Sequence, residues 1–478
     1  MQQYFGRVGM IVALTMLFST PAGRCADAPA TRHPNVLFLF SDDQRADTIA
    51  ALGNQHIRTP NLDRLAGEGT VCTRAYCMGA KQGAVCVPSR AMLMTGRTLF
   101  RVHSDFKDQP TWPEAFHKAG YSTFLTGKWH NGPQSAQRIF AEGRSVFFGG
   151  MGDPYKLPVC DFKPQGGLTA KKPSGKHSIA LFADRAIEFL QRQKVERPFL
   201  CYVAMNAPHD PRLAPKEYHD HYNAAKPPLP ANFLPEHPFN NGDLTGRDER
   251  LAPWPRTPDV VRQHLADYYA AINFVDTQVG RILAALKASG QYDNTLIVFT
   301  SDHGLAIGSH GLMGKQNLYD HSMHAPLIFA GPGVPRGKKT DALCYLLDIY
   351  PTLGELAGVP APDGNEGKSL VLVFAGKREK IRDSIFTAYR DLQRAVRDDR
   401  WKLIVYPKIN KVQLFDLKND PAERTDLAAD KAHAAEVTRL TKLLTNWQKR
   451  SGDAQPLRSD KPMSAEFDFS TVEPKSKR

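Results

Sequence analysis

The sequence predicts an α/β protein: a large mixed, mostly parallel sheet sandwiched by helices, with a smaller C-terminal subdomain of antiparallel sheet plus helix. Three observations carry this expectation. Short apolar runs of strand length, each ended by polar, Gly or Pro residues, alternate with stretches of helical period. The runs are almost continuously apolar, as strands covered on both faces must be. After about residue 375 the pattern changes to short, closely spaced strand runs followed by one last amphipathic helix.

Taken in chain order, residues 1–28 read as an export signal, with Arg7 ahead of an apolar run at 8–18 and small residues ending at Ala26-Asp27-Ala28. That run is short for a membrane span, so no membrane association is expected after cleavage. Arg24 stands before Cys25 where a lipid-anchored cysteine would follow a small residue, which favours cleavage near Ala28 and a periplasmic or secreted protein. Residues 29–375 are expected to form the main domain, with strands at 35–40, 121–125, 199–205, 295–300 and 326–330. Between the third and fourth, Tyr268, Ile272, Val275, Val279, Ile282 and Leu286 recur at helical spacing, and Gly290 closes that helix. The stretch 211–258 is rich in Pro, Asn, Gly and charge and reads as a long surface excursion suited to shaping a cleft. Residues 376–478 are expected to form the subdomain, with strands at 384–389, 394–397, 401–406 and 412–417 and turn chemistry at Asp398-Asp399. Its helix carries Val437, Leu440, Leu444 and Trp447 on one face, and the polar tail after Ser451 is expected to be loose.

The chain has 62 Lys+Arg against 49 Asp+Glu, a formal net charge of +13. For an exported protein this suits anionic partners, although a generally basic surface explains it equally well. No nucleic-acid-binding motif is present, so nucleic acid is not an expected partner. The seven cysteines form neither a dense disulfide scaffold nor a zinc-type Cys-x-x-Cys pair. A Cys72–Cys77 pair and buried thiols at Cys160, Cys201 and Cys344 are both open.

Chemistry is signalled where strands end. The run 35–40 leads into Ser41-Asp42-Asp43, and 295–300 leads into Ser301-Asp302-His303-Gly304. Open α/β sheets bind ligands at the carboxyl ends of their strands. A single Asp there is most simply a turn or cap. Three carboxylates brought together repel unless a cation neutralises them, and oxygen ligation favours a hard ion such as calcium or magnesium. The most specific string is Gly83-Ala84-Val85-Cys86-Val87-Pro88-Ser89-Arg90, followed by Thr95-Gly96-Arg97. Pro88 suits a first helical turn, which places Cys86 at a helix N-terminus favourable to negative charge, with Arg90 one turn later on the same face.

These residues resemble the formylglycine-dependent sulfatase family of the alkaline-phosphatase-like superfamily, whose signature is Cys-x-Pro-Ser-Arg followed by Thr-Gly-Arg. The resemblance continues in the family's order through 35–44, its opening strand and paired Asp, and through Thr126-Gly127-Lys128-Trp129-His130 and Ala207-Pro208-His209-Asp210-Pro211. It extends to 301–304, to Gly314-Lys315, and to Gln413-Leu414-Phe415-Asp416-Leu417 with Asp420-Pro421 and Asp426-Leu427. His303 stands where many members have Asn, and both can ligate.

The resemblance implies that a formylglycine-generating maturation enzyme, a transient partner, oxidises Cys86 to formylglycine (3-oxoalanine). It implies Ca2+ held by Asp42, Asp43, Asp302 and His303 together with the modified residue 86. One hydroxyl of the hydrated aldehyde attacks sulfur and the other re-forms the carbonyl to expel sulfate, an exit that serine lacks. Arg90 is then expected to hold the nucleophile, Lys128 and Lys315 to clamp sulfate oxygens, His130 to take a proton at sulfate elimination, and His209 to protonate the leaving alcohol. A sulfated carbohydrate is the expected substrate, with Asp210, Arg212, His310, Tyr389 and Arg390 as candidate contacts. Two rival readings stand beside it: a phosphonate monoester or phosphodiester hydrolase of the same superfamily, and a non-catalytic sulfated-glycan-binding protein with Cys86 unmodified.

Overall fold

Every residue of the strand Asn35–Asp42 is buried, because its two faces meet two different cores. Val36, Phe38 and Phe40 join the core that contains Ala91, Leu93, Trp112, Phe116, Ile349 and Leu353, from the helices Cys86–Thr95, Trp112–Lys118 and Ile349–Ala357. Leu37 and Leu39 join the core under the helices Pro60–Glu68, Ser178–Gln191 and Pro258–Ala288. Each such side chain contributes about 1.5–3 kcal/mol on burial, which is why residues 36–40 read as one unbroken apolar run.

The structure is a computed structural model that describes residues 1–4, 6, 33–162 and 166–472. The expected export signal lies almost wholly outside the described residues. Residues His33–Arg478 form one compact unit. Among the described residues no helix is long and apolar enough to cross a membrane.

Among the described residues, ten strands form the main sheet. Its five central strands are parallel, running from Thr295–Ser301 through Asn35–Asp42, Phe199–Pro208 and Ser122–Lys128 to Glu142–Phe147. Antiparallel strands flank them, Leu327–Ala330 beside Thr295–Ser301 and Pro158–Phe162 beside Glu142–Phe147. The expected mixed, mostly parallel sheet covered by helices is therefore present. The long helix Pro258–Ala288 buries all six of its periodic positions, starts with the Thr257 hydroxyl accepting from the Val260 N–H, and is followed by Gly290 at φ +72°.

The C-terminal sheet is antiparallel from Lys411–Asp416 through Trp401–Tyr406 and Gln393–Arg397 to Ile385–Tyr389. The short segment Gly79–Ala80 adds to it in parallel beside Ile385–Tyr389. Sequence alone missed this strand, which ties the subdomain to the segment leading into Cys86. The helix Ala434–Ser451 packs Leu440 and Leu444 against the same core.

Within the described residues, up to 472, the tail is not loose, contrary to expectation. The Asp453 carboxylate takes two bonds from Arg394, Ser459 and Asn410 bond each other, and Ala465 accepts from the Asn240 N–H. Polar composition hid these partners, which lie far away in sequence. The six cysteines beyond residue 28 are all buried free thiols.

Candidate active site

Consecutive residues of a strand point to opposite faces, yet both Asp42 and Asp43 reach one site. The register of Asn35–Asp42 against Phe199–Pro208 shifts between Phe40 and Asp42, and Asp43 sits at φ +70°. This irregularity and left-handed turn re-aim the second carboxylate. The neighbouring strand delivers Asp302 and His303, and the Asp43 N–H donates to Asp302 Oδ1 at 3.0 Å. Asp42, Asp43, Asp302 and His303 are all buried.

Helix Cys86–Thr95 begins at Cys86 with no side-chain cap, so its first turn faces the strand ends with its dipole uncompensated by a cap. The Ser89 hydroxyl fastens it by donating to the Asp302 carbonyl at 2.8 Å. Cys86 Sγ lies 3.4 Å from His303 Nε2, 3.5 Å from Lys315 Nζ and 4.0 Å from Asp43 Oδ1. Burial pushes the Cys86 thiol well up despite Lys315 and Lys128, so the unmodified residue is held as a neutral thiol.

Three cations answer the three carboxylates. Arg90 donates to the Lys128 carbonyl at 2.9 Å, lies 3.4 Å from Asp42 and 3.5 Å from Asp302, and stacks 4.7 Å over the Phe40 ring. Lys128 pairs with Asp42, and Lys315 Nζ is 2.7 Å from each oxygen of Asp43. Burial alone would raise the Asp42 carboxyl, but Lys128 and Arg90 outweigh it and hold it well below the usual carboxylate range. Burial would likewise lower Lys315, and Asp43 overrides it.

Two histidines border this cluster. His209 Nε2 is 3.8 Å from Asp43 and its Nδ1 is 3.2 Å from Asp210 Oδ1; burial lowers it to about 4 in spite of Asp43. His130 takes a left-handed backbone at φ +68°, and burial followed by Lys128 and Arg90 lowers it to about 3. A Cβ on Gly150 would come within 2.7 Å of His130 Nε2, so glycine there leaves room for the ring.

The cluster is a candidate cation site in which Asp43 and Asp302 offer hard carboxylate oxygens, while His303 offers a nitrogen and the unmodified Cys86 a sulfur. One ligand atom each from Asp43, Cys86, Asp302 and His303 lie within 4.8 Å of one another. His303 Nδ1 is 3.0 Å from the Gly304 carbonyl, which only accepts, so Nδ1 carries the hydrogen and Nε2 presents a lone pair toward Cys86. Gln44, next in the chain, is fully buried with neither side-chain amide atom partnered among the described residues. Because three side-chain cations already match three carboxylates, a divalent ion would make the pocket positive and attractive to an anionic ester.

The structure places the remaining candidates unevenly. Asp210 is held by both arms of Arg247, which also bonds Asp248; Asp248 in turn accepts from Gln316 Nε2 at 2.9 Å. Tyr389 donates to Asp243, and a Cβ on Gly83 would meet its hydroxyl at 3.9 Å. Arg390 is exposed, with its N–H bonded to the Ala80 carbonyl at 2.7 Å. Arg212 turns to His264, at 3.1 Å, and to the Tyr268 ring. His310 stacks on Tyr319 at 3.9 Å and bonds the Glu423 carbonyl at 2.8 Å, so packing and the subdomain seam occupy it. Sequence reasoning missed Asp243, Arg247, Asp248 and Gln316; the three charged residues gave only the signal of charge within a long excursion, and Gln316, a neutral residue beside Lys315, gave none.

The sulfatase family model matches residues 34–359, more than half of the chain. The chain belongs to the sulfatase family. A second model, N-sulphoglucosamine sulphohydrolase C-terminal, matches residues 308–450. A sulfatase of Formosa agariphila is 32% identical, with 86% of each chain covered. An N-acetylglucosamine-6-O-sulfatase of Bacteroides thetaiotaomicron is 27% identical, covering 89% of this chain and 88% of that protein. A solved structure in complex with its substrate D-glucosamine-2-N,6-O-disulfate matches with a TM-score of 0.76 at 25% identity, over 90% of this chain and 100% of that one. The phosphonate monoester hydrolase of Agrobacterium radiobacter shares the fold, with a TM-score of 0.71 at 24% identity, over 87% of this chain and 96% of that one. As a sulfatase, the protein is a sulfuric ester hydrolase.

Proposed function

We propose that this sulfatase is exported, is matured at Cys86 to formylglycine, and releases inorganic sulfate from sulfated carbohydrates with bound calcium. The observation that carries the reading is the meeting of Cys86 Sγ with His303 Nε2, Lys315 Nζ and Asp43 at two adjacent strand ends. Carbohydrate as substrate draws support from the two relatives named for glucosamine sulfates and from the excursion that borders the site.

Calcium held by Asp42, Asp43, Asp302 and His303 would supply Lewis-acid polarisation of a sulfate oxygen. The hydrated formylglycine would supply two hydroxyls on one carbon, one to attack and one to release. Lys128 and Lys315 flank the cluster and would turn from Asp42 and Asp43 toward sulfate oxygens once a cation takes the carboxylates. Arg90, immobile between two carboxylates, a carbonyl and Phe40, orients the side chain at 86. His209 stands between Asp43 and the rim residue Asp210, where a leaving alcohol would depart, and is assigned its protonation. His130 is assigned the proton released when sulfate leaves.

The test is peptide mass spectrometry across residue 86 on protein made with a maturation enzyme, combined with sulfate release from sulfated glycans before and after chelation. An aldehyde or hydrate, with turnover lost on chelation and restored by calcium, is the expected result. An unmodified thiol in active protein would overturn it. Equal or greater efficiency on an aryl phosphonate than on an aryl sulfate would move the assignment to phosphonate hydrolysis.

A further inference from the structure

Glu249 belongs to no motif and lies in the excursion, in the single turn Glu249–Leu251, with 4% of its surface exposed. Its carboxylate accepts from two consecutive backbone N–H groups: Met313 donates to Oε2 at 2.9 Å and Gly314 to Oε1 at 2.8 Å. The next residue is Lys315, whose ammonium lies 2.7 Å from both Asp43 oxygens and 3.5 Å from Cys86 Sγ. On its other side the same loop is held by the Ala306 N–H on the Gly314 carbonyl at 3.0 Å and by the Gly308 N–H on the Leu312 carbonyl at 2.7 Å. Charge-assisted bonds of this kind are stronger than neutral ones, and two on adjacent peptides fix the loop's orientation as well as its position.

Glu249 is itself immobilised. Arg256, fully buried, bonds its carboxylate at 3.1 Å and its carbonyl at 2.7 Å and stacks 3.9 Å over Trp254. A Cβ on Gly314 would sit 2.9 Å from Glu249 Oε1 and 2.6 Å from Gln316 Oε1. Glycine before the lysine is therefore what lets the carboxylate approach the backbone.

We propose that Glu249 is a positioning residue for sulfate ester hydrolysis: its carboxylate, braced by Arg256, sets the Met313–Gly314 backbone from which Lys315 reaches the sulfate. The proposal rests on Lys315 as a sulfate contact, and the experiment separates failure of either idea. In matured full-length protein, E249Q and K315A are combined in a double-mutant cycle with 4-nitrophenyl sulfate as substrate and inorganic sulfate as inhibitor. Gln keeps the shape of Glu but offers one acceptor where two N–H groups ask for one each.

In the otherwise wild-type chain, E249Q is expected to lower kcat about 10- to 100-fold, and to raise KM in parallel with the inhibition constant of inorganic sulfate, both by a smaller factor. In the K315A background the same substitution is expected to cost less than about threefold. An equal loss in both backgrounds, or an unchanged kcat, would overturn the proposal. K315A with wild-type turnover would instead remove the premise that Lys315 touches sulfate. Should E249Q fail to fold, E249D keeps the charge on Arg256 while withdrawing the carboxylate from the two N–H groups, and it is read in the same cycle with the same outcomes.

Discussion

The floor of the active site and its rim use the same residue types under different constraints. On the floor, Asp42, Asp302 and Lys128 are fully buried on or beside strand ends held by the parallel ladder. On the rim, Asp210, Arg247 and Arg390 come from the turn after Phe199–Pro208, the excursion and the C-terminal subdomain, and Arg247 keeps about a third of its side chain exposed (31%). Buried charges on a rigid frame need little reorganisation as charge moves in a reaction, whereas loop-borne charges are exposed to solvent and free to differ in what they recognise. On the function proposed above, the difference puts chemistry on the floor and selectivity on the rim.

The strongest way to break this comparison is Cys86→Ala, expected to reduce sulfate release on the order of 10⁴-fold or more without lowering the melting temperature. Retained turnover would remove the floor as the seat of chemistry. Next is Lys128→Met, which leaves Asp42 without its nearest cation; turnover should fall about 10²-fold or more, and stability by about 3–5 kcal/mol in denaturant titration. A loss of activity with unchanged stability would mean that the buried pair is not structurally coupled. Arg247→Ala sharpens the other side, with an expected rise in KM of about tenfold on a sulfated glycan and almost none on a small aryl sulfate. Equal losses on both substrates would place Arg247 with the floor.

The smallest effect on activity is expected at Asp453, whose carboxylate bonds Arg394 and Gln448 and no residue of the floor. Burial raises its carboxyl, but bonds from Arg394 and Gln448 outweigh this and leave it below the usual range. A depressed carboxylate stabilises the fold above its unfolded pKa of about 4, and that stabilisation is lost as pH falls through its lower folded value. Denaturant titration between about pH 5 and pH 3 should therefore show a drop that Asp453→Asn diminishes. An identical pH dependence in both proteins would show that the docked tail contributes nothing there.

The sheet was legible because burial on both faces leaves no polar position to interrupt a strand, and the expected runs lie within a few residues of the strands found. Gly79–Ala80, Gly69–Cys72 and Glu142–Phe147 were not, since the first two hold no apolar run and Glu142, Arg144 and Ser145 interrupt the third. The floor was legible as strings of adjacent residues. The rim was legible only in part: Asp210, Tyr389 and Arg390 were expected there but their partners were not, because the pairs join distant positions, Asp243 meeting Tyr389 across 146 residues and Asp210 meeting Arg247 across 37.

By itself the sequence determined the α/β class, the Cys86 string and the two acidic strand ends, because local order writes them directly into the chain. Only the tertiary structure decided that Asp43 turns left-handed to share a site with Asp42, that Lys315 arrives on a loop held by Glu249, and that His310 is occupied at the subdomain seam. Those outcomes depend on packing and hydrogen bonds between segments far apart in the chain, and residue order does not encode such pairings locally.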